Sequence, residues 1–171
     1  RKMTTIALLA VVTLLLAHTT LGMSFAVIGD WGMGGRAGGW MTEMRSGDEV
    51  NEVCKKINCN FTLSVGDNIY VGDVMRGLQD SFEDMFTSPG PFFPSVGNHD
   101  NIGPQMEYTK KNNRWKFYQP YYTRKMPIDD TGYTVQVFAV NTMDGGLGGG
   151  GQFTWLENEL KNSDARWKFI F

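Results

Sequence analysis

Three short apolar runs along the chain each end in glycine followed by an acidic residue or asparagine. They cover Phe25–Gly32, Phe61–Tyr70 and Phe92–Asp100. Runs of β-branched and aromatic residues that stop at such a turn signal are typical of buried strands. Because glycine tolerates a sharp turn at the strand exit, the side chain that follows it is left at the edge of the sheet. The pattern predicts three strands with polar side chains at their exits.

The segment between the first two strands has the spacing of an amphipathic helix. Over Asp48–Lys56 and the next residue, charged residues separate the apolar residues Val50, Val53 and Ile57. Strands at Ser24–Ile28 and Phe61–Val65 on either side make a βαβ unit, and its right-handed crossover places the two strands parallel in one sheet. The predicted fold class is α/β, with the strand exits at the carboxyl edge where such sheets bind ligands.

The second half of the chain has a weaker pattern. A short helical segment is predicted at Phe82–Phe86, and the tyrosine-rich polar stretch Tyr108–Tyr122 is predicted to wrap the surface. Alternation over Tyr133–Val140 predicts a strand with one face formed by Tyr133, Val135 and Val137.

The last segments predict a helix and a strand. The spacing over Gln152–Leu160 predicts a helix whose inward residues are Phe153, Leu156 and Leu160. A final strand is predicted at Arg166–Phe171, and the glycine-rich run Gly145–Gly151 before the helix is expected to be flexible.

Composition and charge narrow the class of protein. The chain has 171 residues, 42% hydrophobic residues and a formal net charge of -2, which fits one globular domain. No basic block resembles a nucleic-acid footprint, so nucleic-acid binding is not expected.

The N-terminus has the pattern of a secretory signal peptide over residues 1–22. A basic start at Arg1 and Lys2 is followed by the apolar run Ile6–Ala17 and by small residues near Gly22. This predicts entry into the secretory pathway, with a secreted, lysosomal or vacuolar, or cell-surface destination. Membrane association through an uncleaved N-terminal segment stays open as an alternative.

Two further features matter if the protein is exported. Cys54 and Cys59 are the two cysteines of the chain, and a local disulfide between them is possible in an oxidising compartment. Asn60, Phe61 and Thr62 form a glycosylation sequon at the entry of a predicted buried strand, which leaves its occupancy open.

The residues at the strand exits suggest a metal site. Asp30, Asp67 and Asn98 follow the three exit glycines, with Tyr70 and His99 beside them. A single aspartate there would ordinarily cap a turn or a helix. Several carboxylates gathered at one edge repel one another unless a cation neutralises them, and oxygen ligands suit hard divalent or trivalent cations.

Tyr70 and His99 each allow two interpretations. Tyr70 is either a half-buried tyrosine with a partnered hydroxyl or a phenolate ligand to a strongly polarising cation such as ferric iron. His99 is the only histidine outside the predicted signal peptide. In a glycine turn it is well placed to donate a proton or to stabilise a phosphoryl oxygen. Together the residues indicate a metal-dependent phosphate-ester hydrolase.

The same three runs resemble a known family. GDWG at Gly29–Gly32, GDNIY at Gly66–Tyr70 and GNHD at Gly97–Asp100, in that order, look like the first three blocks of the metallophosphoesterases. The tryptophan at Trp31 and the tyrosine that ends the second block are similar to the purple acid, or tartrate-resistant, acid phosphatases. The resemblance covers residues 23–171, roughly the N-terminal part of a family catalytic domain.

The resemblance implies a fold and an activity. The implied fold is a β-sandwich flanked by helices in four αββα layers, incomplete here. The implied activity is an acid phosphatase that hydrolyses small phosphate esters or phosphoproteins by a binuclear metal-hydroxide mechanism.

The resemblance also implies a role for each site residue. Asp30 and Tyr70 would bind Fe(III), Asp67 would bridge it to a divalent ion (Fe, Zn or Mn), and Asn98 would bind that second ion. His99 would contact the phosphate and help the leaving group depart. The family's later histidine loops are absent from these 171 residues, which predicts weak metal affinity and little turnover for them alone.

Two other functions remain as alternatives. A phosphatase-like protein without activity could serve as a binding or anchoring partner, and the missing histidines leave this open. Glycine patterns at Gly32–Ala37 and Gly146–Gly151 formally match a dinucleotide-binding fingerprint. The first lacks an immediate helix and the second is nearly a glycine homopolymer, so a nucleotide site is disfavoured.

Overall fold

The computed structural model describes residues 22–33, 41–88, 90–128, 132–143 and 150–171, with side chains in the first helix described from Ser46 onward. Nearly all of the predicted signal peptide and most of both glycine-rich patterns lie outside these ranges. The elements in chain order are β1 (Phe25–Ile28), α1 (Met41–Ile57), β2 (Phe61–Ser64), α2 (Val74–Gly77), a π-helical turn (Leu78–Glu83), β3 (Phe92–Pro94), α3 (Ile102–Tyr108), β4 (Tyr122–Ile128), β5 (Tyr133–Ala139), α4 (Gly151–Asn162) and β6 (Trp167–Ile170).

The first sheet is the predicted parallel sheet. Its order is β1-β2-β3, with β2 in the centre. Phe25 lies opposite Phe61 and Thr62 lies opposite Phe92. All four residues of β2 are buried, as expected for a strand paired on both sides. Because the three strands are parallel, their exits all open at the same edge, and the βαβ prediction is confirmed.

The second sheet is mixed. Its order is β4-β5-β6, and β5 pairs antiparallel with β4 and parallel with β6. A parallel bridge between Val96 and Asn141 connects it to the first sheet beyond β3. The rings of Phe25 and Phe169 meet edge-on at 5.2 Å between the two sheets. The α/β class is confirmed, with two small sheets and four α-helices in the described ranges.

The predicted surface stretch Tyr108–Tyr122 has exposed residues, but four of its aromatic residues are buried. Tyr108, Trp115, Phe117 and Tyr122 are each at most 6% exposed. Trp115 forms a parallel bridge with Phe92, so the stretch extends the first sheet. The lysines and asparagines between these aromatic residues give the stretch a polar composition. For this reason its buried positions and the neighbouring elements α3 and β4 were not predicted from the sequence.

The strand β5 is buried on both faces. Val135, Val137 and Ala139 belong to the main core, whereas Phe138 packs in a second cluster with Leu156. Tyr133, Val135 and Val137 alternate along β5 as predicted, with the two valines buried and Tyr133, the first residue of the strand, 50% exposed. A central strand between two apolar layers does not alternate between core and solvent.

Helix α4 turns two of its three predicted residues inward, and the prediction is wrong at Phe153. Leu156 is buried and Leu160 is partly buried, but Phe153 is 55% exposed. Gln152 takes the inward position one turn before Leu156, since residues four apart share a helix face. Its side chain accepts from the backbone nitrogen of Asn141 at 2.7 Å and donates to the carbonyl of Asn141 at 2.8 Å.

The helical segments before β3 also differ from their predictions. Helix α1 begins at Met41, earlier than predicted. Its inward side carries Cys54, which is 1% exposed, while Val53 and Ile57 are 52% and 46% exposed. Cys54 forms a disulfide with Cys59, linking the end of α1 to the entry of β2. The helical segment predicted at Phe82–Phe86 starts earlier, at Val74.

An aromatic cluster packs beneath the first sheet. Phe82 lies 4.9 Å from Phe92 and 5.0 Å from Trp115, and Trp31 lies 5.1 Å from Phe86, measured between ring centroids. All five rings are at most 2% exposed. Since Trp31 directly follows Asp30, the core anchors the loop that leaves β1. Among the described residues, no helix has the length and hydrophobicity needed to cross a membrane.

Truncating a ring of this cluster tests the core. Phe92→Ala should lower the free energy of unfolding by about 3–5 kcal/mol, because Phe92 is 0% exposed and its removal leaves a cavity. The matched control is Phe153→Ala, at an exposed phenylalanine, which should change it by less than about 0.5 kcal/mol. Urea denaturation followed by tryptophan fluorescence measures both, and equal losses in the two variants would contradict this assignment of the core.

Candidate metal centre

The first loop of the site leaves β1 in a constrained conformation. Asp30 has a φ of 56°, a left-handed conformation that aspartate tolerates better than most residues. Its backbone nitrogen donates to the carbonyl of Gly66 at 3.3 Å. The indole nitrogen of the next residue, Trp31, donates to the hydroxyl of Ser64 at 2.7 Å. The loop is thereby held against β2, with the Asp30 carboxylate exposed at the sheet edge.

The second and third loops touch through their glycines. Gly66 and Asp67 have φ values of 103° and 51°. A Cβ on Gly97 would lie 2.1 Å from the backbone nitrogen of Asp67 and 2.2 Å from its Oδ1. Because real side chains never approach so closely, only glycine fits at position 97. The close approach brings the carboxylate of Asp67 onto the third loop.

One tyrosine hydroxyl joins the first two loops. The Tyr70 hydroxyl lies 2.5 Å from Oδ1 of Asp30 and 2.8 Å from Oδ2 of Asp67, and it donates to these two carboxylates. The predicted convergence of Asp30, Asp67 and Tyr70 is therefore present in the structure. Three oxygen-bearing side chains, one from the exit of β1 and two from the exit of β2, meet at one point.

The third loop places His99 beside this point. Its backbone nitrogen donates to Oδ1 of Asp67 at 3.0 Å, and its ring centroid lies 4.6 Å from that of Tyr70. The His99 side chain is exposed, as is that of Asn98, the preceding residue. Asn98 is thus on the loop that touches Asp67, but its side chain is not part of the hydrogen-bonded group formed by Asp30, Asp67 and Tyr70.

The electrostatics of the group follow from this geometry. Burial raises the pKa of Tyr70, and its hydrogen bonds to Asp30 and Asp67 and their negative charges raise it further, so the phenol stays neutral. Burial also acts to raise the pKa of Asp67, but the His99 backbone N–H, the Tyr70 hydroxyl and the His99 charge outweigh it. The pKa of Asp67 is lowered as a result, so this carboxylate is ionised.

A partly buried hub that sequence reasoning did not assign holds the second and third loops together. Oδ1 of Asp100 accepts from the backbone nitrogens of Asn68 (2.8 Å) and Ile69 (3.2 Å) and from Nε2 of Gln105 (2.7 Å). Its Oδ2 accepts from Nδ2 of Asn68 (2.9 Å) and the backbone nitrogen of Gly97 (2.8 Å). Asp100 was visible as the last residue of the third run, but only the fold shows its donors.

The group has the chemistry of a cation site. The two carboxylates carry negative charge, and the single proton of the Tyr70 hydroxyl compensates it only partly. A bound cation would replace that proton and favour the phenolate, since carboxylate and phenolate oxygens are hard ligands. The residues present therefore fit a metal ion. No group of three or more His, Cys, Asp or Glu side chains able to hold a metal occurs in the described ranges.

Comparison with known proteins identifies the family of the chain. Residues 23–171 match the calcineurin-like phosphoesterase family. The chain belongs to the calcineurin-like phosphoesterases. The three loops that meet at Tyr70 lie within the matched residues, and the parallel sheet that presents them is consistent with a partial phosphoesterase fold.

Relatives of this phosphoesterase include animal and plant acid phosphatases. The chain is 30% identical over 152 residues to the tartrate-resistant acid phosphatase type 5 of Oryctolagus cuniculus, covering 76% of the chain and 47% of the relative. It is 31% identical over 136 residues to the human protein of the same name, covering 72% and 42%. It is 28% identical over 181 aligned positions to purple acid phosphatase 7 of Arabidopsis thaliana, covering 86% and 52%. The chain thus spans about half the length of these curated relatives.

Neutralising the hub should uncouple the loops. Asp100→Asn replaces one acceptor oxygen with a donor amide facing other donors, which should lower the free energy of unfolding by about 2–4 kcal/mol. The matched control is Asp164→Asn at an exposed ion pair with Lys125, which should leave the free energy of unfolding nearly unchanged. Chemical denaturation measures the stability of both variants. If Asp100→Asn were as stable as the control, the hydrogen bonds of Asp100 would not be what holds the second and third loops together.

Tyr70 should make the metal-free protein sensitive to alkali. Its folded pKa is raised, so the stability it contributes is fully present below the unfolded tyrosine pKa of about 10 and falls as the pH rises above it. The difference in unfolding free energy between wild type and Tyr70→Phe, measured in chelator from pH 8 upward, should shrink above about pH 10. Tyr121→Phe is the control, because the ring of Tyr121 packs against that of Trp155 and is not part of the group formed by Asp30, Asp67 and Tyr70. A constant difference across the range would contradict the carboxylate contacts.

Proposed function

We propose that the protein is an acid phosphatase that hydrolyses phosphate monoesters at a two-metal centre. The observation that carries this proposal is the Tyr70 hydroxyl held between the carboxylates of Asp30 and Asp67, at 2.5 and 2.8 Å. Membership of the phosphoesterase family and similarity to proteins named acid phosphatases support it.

Four residues would hold the metals. Asp30 and Tyr70 would bind Fe(III), because a trivalent cation best offsets the high proton affinity of this phenol. Asp67, which contacts both the first and the third loop, would bridge to a divalent Fe, Zn or Mn ion, and the exposed amide of Asn98 would bind that ion without adding negative charge. Such a metal pair supplies Lewis-acid activation of water and neutralises charge on the phosphoryl group.

His99 would serve the leaving group. Its imidazole is exposed beside the Tyr70 ring, so it can reach a substrate at the sheet edge. Its main chain is fixed because its N–H donates to Oδ1 of Asp67. A ring nitrogen of His99 would hold a proton, bind a phosphoryl oxygen and donate the proton to the ester oxygen as that bond breaks.

The open position of the site suits a small phosphate ester or a phosphoprotein as the substrate. Asp30 and His99 are exposed, so a phosphate carried on a larger molecule could reach the edge of the sheet. We infer a location in the secretory pathway from the predicted N-terminal signal, and the disulfide between Cys54 and Cys59 suits an oxidising compartment.

Removal of the proton donor should slow hydrolysis without loss of metal. In the protein at its full natural length, His99→Ala should lower kcat by about 10²–10⁴-fold, because general acid catalysis contributes about that much. The metal content should stay unchanged. Hydrolysis of a chromogenic phosphate and elemental analysis measure the two quantities.

The control for this experiment is Asp67→Asn, which should lower both metal content and activity. Loss of metal in His99→Ala, or unchanged kcat, would contradict the assigned role.

Residues 1–171 alone should be a poor catalyst. Within the described ranges, the site has two carboxylates, a phenol and one amide but no imidazole ligand, so metal affinity should be weak and turnover small. This ligand shortage also favours the second candidate function, a silent phosphatase-like binding protein. Metal analysis and a phosphatase assay at acid pH on the full-length protein separate the two, since only the enzyme has both metal and turnover.

A further inference from the structure

The sequon at the start of β2 has its acceptor on the surface. Asn60, Phe61 and Thr62 form the only Asn-X-Ser/Thr sequence in the 171 residues. The Asn60 side chain is exposed, and its Oδ1 accepts a hydrogen bond from the backbone nitrogen of Ser24 at 3.0 Å. This bond uses the oxygen of the amide, so the nitrogen Nδ2 is the atom left for covalent attachment.

The third residue of the sequon is buried without a hydrogen bond. Thr62 is 0% exposed, and its hydroxyl has no partner among the described residues. Ser64 provides the comparison, because alternate residues of a strand share a face. Its hydroxyl accepts from the Trp31 indole at 2.7 Å and donates to Oδ1 of Asn68 at 2.5 Å. The hydroxyl of Ser64 therefore has a structural use, and that of Thr62 does not.

Folding alone would favour a different residue at position 62. Burying a hydroxyl without a partner is unfavourable, whereas valine has the same branched shape and an equally high strand propensity. Attachment of a glycan to asparagine, however, requires a serine or threonine two residues later. This requirement of the modification gives the Thr62 hydroxyl a use that its surroundings among the described residues do not, whereas the other two unpartnered buried atoms there, Oγ of Ser88 and Oε1 of Gln105, belong to no sequon.

We propose that Asn60 carries an N-linked oligosaccharide and that Thr62 provides the hydroxyl for its transfer. The co-reactant is a lipid diphosphate-linked oligosaccharide. A bond forms between Nδ2 of Asn60 and the first sugar carbon, the bond from that carbon to the diphosphate breaks, and the amide gives up one proton. Oδ1 still accepts from Ser24 afterwards.

The structure also sets when the transfer happens. The backbone nitrogen of Thr62 donates to the carbonyl of Pro91 at 2.9 Å, and Thr62 lies opposite Phe92 in β3. Once β3 has paired, the hydroxyl is inaccessible, so the glycan is added during entry into the secretory pathway. Asn60 precedes β2 and Asp67 follows it, so the strand, about 13 Å long, separates the glycan from the metal centre.

This inference is independent of the proposed hydrolysis and shares with it only the secretory location. The test expresses the protein with its own N-terminal segment in a eukaryotic secretory host and treats it with an N-glycosidase that leaves aspartate. Wild type and Thr62→Ser should lose the mass of one glycan on treatment. Asn60→Asp and Thr62→Val should show no such loss, and Asn60→Asp retains the oxygen that accepts from Ser24.

A stability measurement separates the modification from a structural role of the hydroxyl. Thr62→Val should melt at the same temperature as Asn60→Asp or higher, since neither carries a glycan and only the former loses the buried hydroxyl. A lower Tm for Thr62→Val would overturn the proposal. An exported wild type without glycosidase-sensitive mass at Asn60, or a chain retained in the cytosol, would overturn it as well. Phosphatase activity enters neither measurement, so these outcomes do not bear on the proposed enzyme.

Discussion

The site depends on two carboxylates being held against one phenolic proton. Asp30 and Asp67 leave different strands, and like charges at this distance repel. The Tyr70 hydroxyl partly relieves the repulsion by donating to both carboxylates, at the cost of a pKa raised well above that of a free tyrosine. The loops themselves therefore hold negative charge that one proton only partly compensates, at the place where the proposed cation would bind.

The rest of the structure keeps these loops from relaxing apart. Two of the three loops contain aspartates with positive φ, and the third requires glycine at position 97 because Asp67 lies against it. Asp100 then ties the backbones of Asn68, Ile69 and Gly97 together with one carboxylate. Trp31 connects the first loop to the aromatic core. Strain in the loops is therefore opposed by a hydrogen-bonded hub on one side and by close packing on the other.

The parts of the fold and site that sequence reasoning predicted are those with a local signal. An apolar run that ends in glycine and aspartate marks both a strand and its exit. The parallel sheet could therefore be predicted, and so could the proximity of Asp30, Asp67 and Tyr70 at its edge. Long-range contacts have no such signal. Trp115 and Phe117 are buried by the bridge to Phe92 despite polar neighbours. On α4, Gln152 faces inward because its side-chain amide forms hydrogen bonds with the backbone of Asn141, and Phe153 is exposed.

The buried polar side chains among the described residues divide into those with hydrogen-bond partners and three that each have a side-chain atom without one, namely Thr62, Ser88 and Gln105. The buried Ser64 and Gln152 and the partly buried Asp100 each meet donors or acceptors that position a loop or a strand end, so replacing them would leave a partner unsatisfied. The Thr62 hydroxyl meets no partner among the described residues. Selection on the folded state would therefore favour its removal, whereas selection on an earlier state of the chain could retain it. The sequon that begins at the exposed Asn60 supplies such an earlier use, because the hydroxyl is accessible only before β3 pairs with β2.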